Sequence, residues 1–347
     1  MSATLTAFFF AFFILLASTV TGAARKPNIV FFFIDDLGWS DLGCYGSEYH
    51  LTPNIDSLAG RGMRFTDGYA ACPVCSPTRA ALMTGKFPAR LGITDWIGAS
   101  QRRNILSTPP NVAALPQTEL TFAEVLGKAG YATAYFGKWH LGAGDDDHPK
   151  TQGFGYHRGV NRAGAPGSYH YPFSRKKKPG GKLAANDVPD FTEAPEDSYL
   201  TDLLADEAVQ FIEKSKGGPF LLFLSHYSVH TPIQARGQDV AQYTDRLKEL
   251  GLPIDVKLRP EKYGNTRMTQ NNPAFAAMVA SVDRSVGKVL GKVRELGLEG
   301  DTLVVFTSDN GGLSTLSAKR KAPTSCLPLR AGKGWLYEGG VRVPTIV

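Results

Sequence analysis

Four apolar, β-rich runs of strand length each end abruptly in residues able to do chemistry, and this recurrence constrains the fold more than any other feature of the chain. The first, Asn28 to Ile34, is apolar throughout after Asn28 and stops at Asp35-Asp36. A continuous run of this kind suits a central strand covered on both faces. The strand predicted over residues 131–136 leads into Gly137-Lys138-Trp139-His140, that over 220–224 leads to His226 and His230, and that over 302–307 delivers Ser308-Asp309-Asn310. A fifth strand is expected over 63–69, and the apolar run 341–347 reads as the start of another.

Helical signals lie between these runs. A short helix is expected over 53–60, and Thr121-x-x-Glu124 forms a capping box for a helix ending at Gly130. Leu200, Leu203, Leu204, Ala208, Phe211 and Ile212 recur at helical spacing, and a long amphipathic helix over 273–296 carries Met278, Val282, Val286, Val289, Leu290 and Val293 on its core side. Segments 142–195 and 231–272 show no sustained period and read as long loops, of the kind that in compact domains usually carry function. Alternating strands and helices predict an α/β fold with a mostly parallel sheet and helices on both faces. Ligands in such sheets bind beyond the carboxyl ends of strands. The four polar groups should therefore meet on one edge.

No repeat and no linker divides the chain, and 347 residues at 43% apolar composition can bury one large core. Residues 1–24 carry no charged side chain, 4–20 are nearly all apolar, and the small residues Thr21 to Ala24 precede Arg25-Lys26-Pro27. That pattern reads as a signal peptide over 1–24, with an uncleaved membrane anchor as the alternative. Residues 25–347 are then an exported domain, secreted or periplasmic, with no stable membrane span once the leader is cleaved. Four cysteines are too few for a disulfide scaffold in so long an exported chain. The net charge of +6, with basic clusters at 175–178 and 319–321, fits an anionic substrate or a solvated basic face. No nucleic-acid partner is expected.

The stretch from Cys72 to Gly85 places Cys75, Pro77 and Arg79 immediately before an Ala/Leu/Met run that can start a helix. A thiol at a helix N-terminus beside an Arg is a reactive setting, although a buried structural Cys and a small disulfide are open readings of the same residues. Asp35, Asp36, Asp309 and Asn310 together offer three carboxylates and an amide oxygen, a hard-oxygen set suited to Ca²⁺ or Mg²⁺ rather than zinc. Lys138 and His140 alternate along an extended segment, so both can face the site if Trp139 points into the protein. His230 is held extended before Thr231-Pro232. His226 is read as structural.

Cys75-Ser-Pro77-Thr-Arg79 followed by Ala-Ala-Leu-Met-Thr-Gly85 resembles the type I sulfatase signature, in which a Cys-x-Pro-x-Arg cysteine is oxidised to formylglycine. Asp35-Asp36, Gly-Lys138-Trp-His140-Leu-Gly, His230-Thr-Pro, Ser-Asp309-Asn310-Gly and Gly-Lys333-Gly-Trp-Leu-Tyr-Glu-Gly-Gly340 match further motifs in the family's order. The resemblance is to arylsulfatases and N-acetylgalactosamine-6-sulfatases, and it implies an alkaline-phosphatase-like α/β sandwich. It further implies a metal, usually Ca²⁺ with Mg²⁺ as the alternative, held by Asp35, Asp36, Asp309, Asn310 and the modified residue 75. Arg79 would hold hydrated residue 75, Lys138 and Lys333 would neutralise the transferring sulfate, His230 would assist the leaving alcohol, and His140 would take the proton in the elimination step. One hydroxyl of the aldehyde hydrate would attack sulfur and the other would release sulfate. The implied partners are a sulfate ester, as on a sulfated glycan, and a formylglycine-generating maturation enzyme.

Three other readings remain at this level. A phosphoester or phosphonate hydrolase of the same superfamily would use the same metal and anion clamp. A redox protein would use Cys72-Pro-Val-Cys75, and a non-catalytic anion binder would result if Cys75 stayed unmodified. Family members continue into further strands and a smaller C-terminal subdomain, so the resemblance implies that 25–347 is the N-terminal major part of the catalytic domain, with the C-terminal subdomain missing.

Overall fold

The computed structural model describes residues 26–100, 109–174, 184–317 and 320–347. The leader expected over 1–24, the basic cluster at 175–178 and Lys319 lie outside the described residues. The element order is β1 (Asn28–Ile34), α1 (Pro53–Arg61), β2 (Arg64–Phe65), α2 (Cys75–Thr84), α3 (Pro88–Leu91), α4 (Phe122–Lys128), β3 (Ala132–Gly137), β4 (Tyr156–Arg158), α5 (Leu200–Ser215) and β5 (Phe220–His226). There follow α6 (Gly237–Glu249), β6 (Leu258–Glu261), β7 (Gly264–Arg267), α7 (Pro273–Glu295), β8 (Thr302–Ser308), β9 (Thr315–Leu316), α8 (Glu338–Val341) and β10 (Thr345–Ile346).

The main sheet has the order β2-β10-β8-β1-β5-β3-β4. Its five strands from β8 to β4 run parallel, and β10 and β2 join antiparallel at one side. The run Asn28–Ile34 is central, as its composition requires, because its two sets of alternating side chains enter two different cores. Val30, Phe32 and Ile34 pack with α5 and α7 residues such as Leu204, Phe211, Met278 and Val282. Phe33 packs on the other face with Ala80 and Met83 of α2, Ala123 of α4, and Phe223. The fold is thus an α/β sandwich with a mixed, mostly parallel sheet and helices on both faces. Among the described residues no helix is long and apolar enough to cross a membrane.

Three sequence expectations need correction. Segment 142–195 is not one loop, since it holds β4, the strand that pairs parallel with β3 at one side of the main sheet. Segment 231–272 is not one loop: it holds α6 and the antiparallel hairpin β6–β7, to which β9 adds as a third strand. The strand expected over 63–69 is interrupted, with only Arg64–Phe65 regular. Phe65 opposes Thr345 while Tyr69 bridges to Arg342, so four steps on one strand face three on the other. The extra residue makes a β-bulge in this edge segment, and such bulges blunt an edge against unwanted pairing.

Candidate active site

The strand ends converge as the alternation predicts. Asp35 and Asp36 follow β1 directly, and the β1–β8 register, which pairs Ile34 with Ser308, puts Asp309 beside them. Asp309 donates its N–H to Ile34 O at 3.0 Å. Its Oδ1 in turn accepts Asp36 N–H at 3.2 Å, and Asn310 Nδ2 donates to Asp36 Oδ1 at 2.8 Å. Asp36 sits at φ 62°, a left-handed conformation that costs a non-glycine residue on the order of 1 kcal/mol. The cross-strand bonds hold it there.

On the other side of β1, β5 and β3 deliver Lys138. Gly137 has φ 100°, and a Cβ there would lie 2.0 Å from Ser225 O, so only glycine lets the chain turn out of β3 at this point. Lys138 N–H then donates to Ser225 O at 2.8 Å, and Lys138 Nζ reaches Asp35 Oδ2 at 2.6 Å with both groups fully buried. Trp139 points inward, as expected, and donates Nε1–H to Asp147 O at 2.9 Å.

Helix α2 supplies Cys75 and Arg79. It starts at Cys75 after an extended Val74 and ends at Gly85 in the left-handed region; Pro77 falls in the first turn, where the missing N–H has no helical partner to lose. Cys75 Sγ lies 3.2 Å from His140 Nδ1. Arg79 is almost wholly buried and directs Nε and Nη2 at Asp309 Oδ2, at 3.0 and 2.7 Å, while Nη1 donates to Lys138 O and Ser225 Oγ. Lys333 comes from the loop before α8 and places Nζ 2.6 Å from Asp36 Oδ1. Gly334 N–H donates to Pro73 O at 2.8 Å, which ties that loop to the Cys75 stretch. All ten site residues read from the sequence are thus gathered beyond the strand ends.

Buried charge sets the electrostatics. Burial pushes the Asp35 carboxyl well above the carboxylate range, with Lys138 opposing and Asp309 and Asp36 adding to the rise. Burial acts the same way on Asp36, but Lys333, His230 and Lys138 outweigh it and hold this carboxyl well below the range. Asp309 is likewise lowered, burial being overcome chiefly by Arg79. Burial and then Lys138 press the His140 ring toward neutrality. His230 is depressed to about 3 by burial and Lys333, so its 3.7 Å approach to Asp36 Oδ2 is not an ion pair at neutral pH. His230 Nδ1, 2.7 Å from Thr231 O, must carry the proton, which leaves Nε2 bare toward Asp36.

The residues fit a hard divalent cation. Asp35 Oδ1, Asp36 Oδ2 and Asn310 Oδ1 are buried oxygens without a hydrogen-bond partner, and a buried polar atom in that state is costly unless something meets it. Asp35, Asp36 and His230 also offer ligand atoms within 4.8 Å of one another. Oxygen-dominated donors of this type select Ca²⁺ or Mg²⁺ over softer metals.

A sulfatase family profile matches residues 27–347. The chain belongs to the sulfatase family. It is 32% identical over 337 residues to N-acetylgalactosamine-6-sulfatase of Sus scrofa, covering 94% of this chain and 58% of that protein. It is 33% identical over 354 residues to human arylsulfatase A, covering 93% of this chain and 59% of the relative. Among solved structures, Ps i-CgsB superposes with a TM-score of 0.70 at 33% identity, over 93% of this chain and 65% of that one. The same protein has been crystallised with k-i-k-neocarrahexaose. The chain therefore spans somewhat over half the length of the curated relatives it matches.

Within this sulfatase fold His226 takes the structural place read for it. It ends β5 inside the core, with Nε2 2.8 Å from Ser285 Oγ of α7, and burial drives its pKa to about 3. His50, buried with Nδ1 3.0 Å from Asp41 O, is lowered to about 4. Both rings stay neutral when folded but take a proton near pH 6.5 when unfolded. Their contribution is therefore complete above pH 6.5 and is lost as pH falls toward the folded values, by on the order of 2 kcal/mol per ring at pH 5. Urea denaturation at pH 7.5 and pH 5 reads this loss, against which Asp41, pushed up to about 7 by burial, works in the opposite direction. His226→Gln should shrink that loss; an unchanged pH response would refute the assignment for this ring.

Two site contributors were not read from sequence. Ser225 Oγ accepts from Arg79 and donates to Lys138 O at 2.8 Å, and Tyr135 OH donates to the same carbonyl. Their position at the ends of β5 and β3, next to predicted site residues, is the signal that could have found them.

Proposed function

We propose that this chain is the larger part of a sulfatase catalytic domain that hydrolyses sulfate esters of carbohydrates, with residue 75 as formylglycine and a divalent cation, Ca²⁺ or Mg²⁺. The observation that carries the reading is the placement of Cys75 at a helix start, 3.2 Å from a ring nitrogen of His140, in a chain whose strand ends also bury the orphaned oxygens of Asp35, Asp36 and Asn310. The family relationship supports sulfate ester hydrolysis, and the complex of Ps i-CgsB with k-i-k-neocarrahexaose and the name of the N-acetylgalactosamine-6-sulfatases support a sulfated glycan. The leader at 1–24 gives export, secreted or periplasmic, and a maturation enzyme is the partner needed to oxidise Cys75.

Asp35, Asp36, Asp309 and Asn310, with residue 75, would hold the cation, which supplies a Lewis acid for sulfate oxygens and lowers the pKa of a bound hydroxyl. The oxidised residue supplies a hydrated aldehyde, one hydroxyl for attack and one for release of sulfate. The remaining work belongs to other side chains. Lys138 and Lys333 bring positive charge to the sulfate as it transfers, preorganised by the buried carboxylates of Asp35 and Asp36 that they meet. Arg79 orients Asp309 and, through Lys138 O, the chain that carries Lys138. His140, neutral with Nδ1 toward residue 75, is suited to accept its proton. His230, with its one proton committed to Thr231 O, donates to a leaving oxygen only after it has been protonated, so alkyl sulfates depend on it more than aryl sulfates do.

The test is a parallel assay of 4-nitrophenyl sulfate and 4-nitrophenyl phosphate, with mass spectrometry of the peptide across residue 75. Sulfate hydrolysis preferred at least about 100-fold, with the peptide mass of an aldehyde or its hydrate, is expected. Faster phosphate hydrolysis, or an intact thiol in active protein, would overturn the proposal.

A further inference from the structure

Ser76 has no role in the chemistry above, yet its single hydroxyl joins three parts of the site. Fully buried in the first turn of α2, its Oγ donates to His140 O at 2.9 Å and accepts Ile97 N–H at 3.0 Å. Ile97 returns the contact, since its carbonyl oxygen lies 3.1 Å from His140 Nε2. A carbonyl oxygen can only accept, so Nε2 carries the ring hydrogen and Nδ1, 3.2 Å from Cys75 Sγ, presents its lone pair to residue 75.

Three further features keep the ring from escaping. His140 sits at φ 55°, a conformation rare outside glycine, so its main chain needs holding, and Ser76 holds it. Gly164 lies flat against the imidazole: a Cβ there would come within 2.3 Å of Cε1. The 94–97 loop that carries the Ile97 carbonyl is clamped by Asn111, whose Oδ1 accepts Thr94 and Asp95 N–H at 3.0 and 3.3 Å and whose Nδ2 donates to Asp95 O at 3.0 Å. The bonds of Asn111 go to Thr94, Asp95 and Trp96 and to no residue of the catalytic cluster.

We infer that Ser76 is a positioning residue which, with the Asn111-clamped Ile97 carbonyl, fixes His140 as the Nε2–H tautomer with Nδ1 aimed at residue 75. The inference rests on the proposed role of His140 as acceptor of the residue 75 proton. It assigns a function to the variable position between the Cys and Pro of the signature: the residue beside the nucleophile sets the direction of its proton.

The test has two arms. In the full chain, ¹⁵N-histidine labelling with long-range ¹H–¹⁵N spectra at one fixed pH reads the tautomer, and comparison with a His140→Gln sample assigns the signals. Wild type should show Nε2–H at His140, and Ser76→Ala should lose that single form. With 4-nitrophenyl sulfate, Ser76→Ala should lower kcat roughly 10- to 100-fold with KM within about twofold, and Ser76→Thr, which keeps the hydroxyl, should recover most of it. Asn111→Ala, which touches neither α2 nor the ring, should lower kcat in the same direction and serves where Ser76→Ala does not fold. A proton on Nδ1 in wild type, a Ser76→Ala chain that keeps both tautomer and kcat, or a loss confined to KM would overturn the inference. The tautomer arm needs no turnover, so it stands or falls separately from the sulfatase reading.

Discussion

Replacing Cys75 with alanine is expected to lower kcat for 4-nitrophenyl sulfate by at least about 10⁴-fold, the scale on which loss of a nucleophile acts when the rest of a site is intact. The fold should survive. Cys75 is 3% exposed and its side chain makes one polar contact, to His140 Nδ1, so the cost to stability should be on the order of 1 kcal/mol. Cys75→Ser is the sharper comparison, because it restores one hydroxyl but not the second that the proposed release step needs. Its expected signature is a single slow turnover that leaves sulfate on the enzyme, read by intact-protein mass spectrometry. Steady turnover by the alanine variant near the parent rate would remove residue 75 from the mechanism.

Asp309→Ala is expected to give the largest loss of stability among single changes at the site, about 3–5 kcal/mol, because it leaves the Arg79 guanidinium buried without its charge partner. The two nitrogens that meet Asp309 Oδ2 would lose their acceptor, while Lys138 O, Ser225 Oγ and the Phe33 ring, 5.0 Å from the guanidinium carbon, would remain as neutral neighbours. Chemical denaturation in chelator keeps any bound cation out of the comparison. The double variant Arg79→Met with Asp309→Leu should regain most of the stability, since apolar groups of similar volume replace a buried pair at little cost. It should regain no activity. If the single variant lost less than about 1 kcal/mol, the pair would not be the buried, mutually dependent contact described above.

The strand ends were legible because apolar runs leave a strong signal: Asn28–Ile34 is unbroken after Asn28 and buried or half-buried throughout, Leu303–Phe306 is a shorter run exposed at Leu303, and the polar pairs just beyond them, Asp35-Asp36 and Asp309-Asn310, are the ones that meet. Helix α7 was legible for a similar reason, its buried residues Met278, Val282, Val286, Val289 and Val293 recurring on one face. Helix α6 was not, since its sequence is mostly polar and only Asp239, Tyr243 and Leu247 are buried, one contact per turn. The spacing of Val240, Tyr243, Leu247 and Leu250 was the weak signal present. Hairpin β6–β7 is nearly all exposed along β6 and offers no alternation to read. Within the site, residue identities were legible but not the pairing, in which Lys138 reaches Asp35, Lys333 reaches Asp36 and Arg79 reaches Asp309. Which cation meets which carboxylate depends on rotamers set by packing between elements up to 297 positions apart in Asp36 and Lys333, and no local pattern encodes that.

The parallel pairing of β1 with β8 also sets a clock. Cys75 is closed off in the finished fold, so on the proposed reading an enzyme that oxidised it would have to act before the site assembles. The site cannot assemble until β8 is available, because Asp309 and Asn310 stand at its end and β1 pairs along its whole length. Ser308 is made 233 residues after Cys75, which at ordinary rates of synthesis is roughly 10 to 50 s. During that interval the Cys75 stretch exists without the later segments that meet it in the finished fold, His140 and the Lys333 loop among them. The long reach from first strand to last would thus give the proposed maturation step a window that opens with residue 75 and shuts with β8.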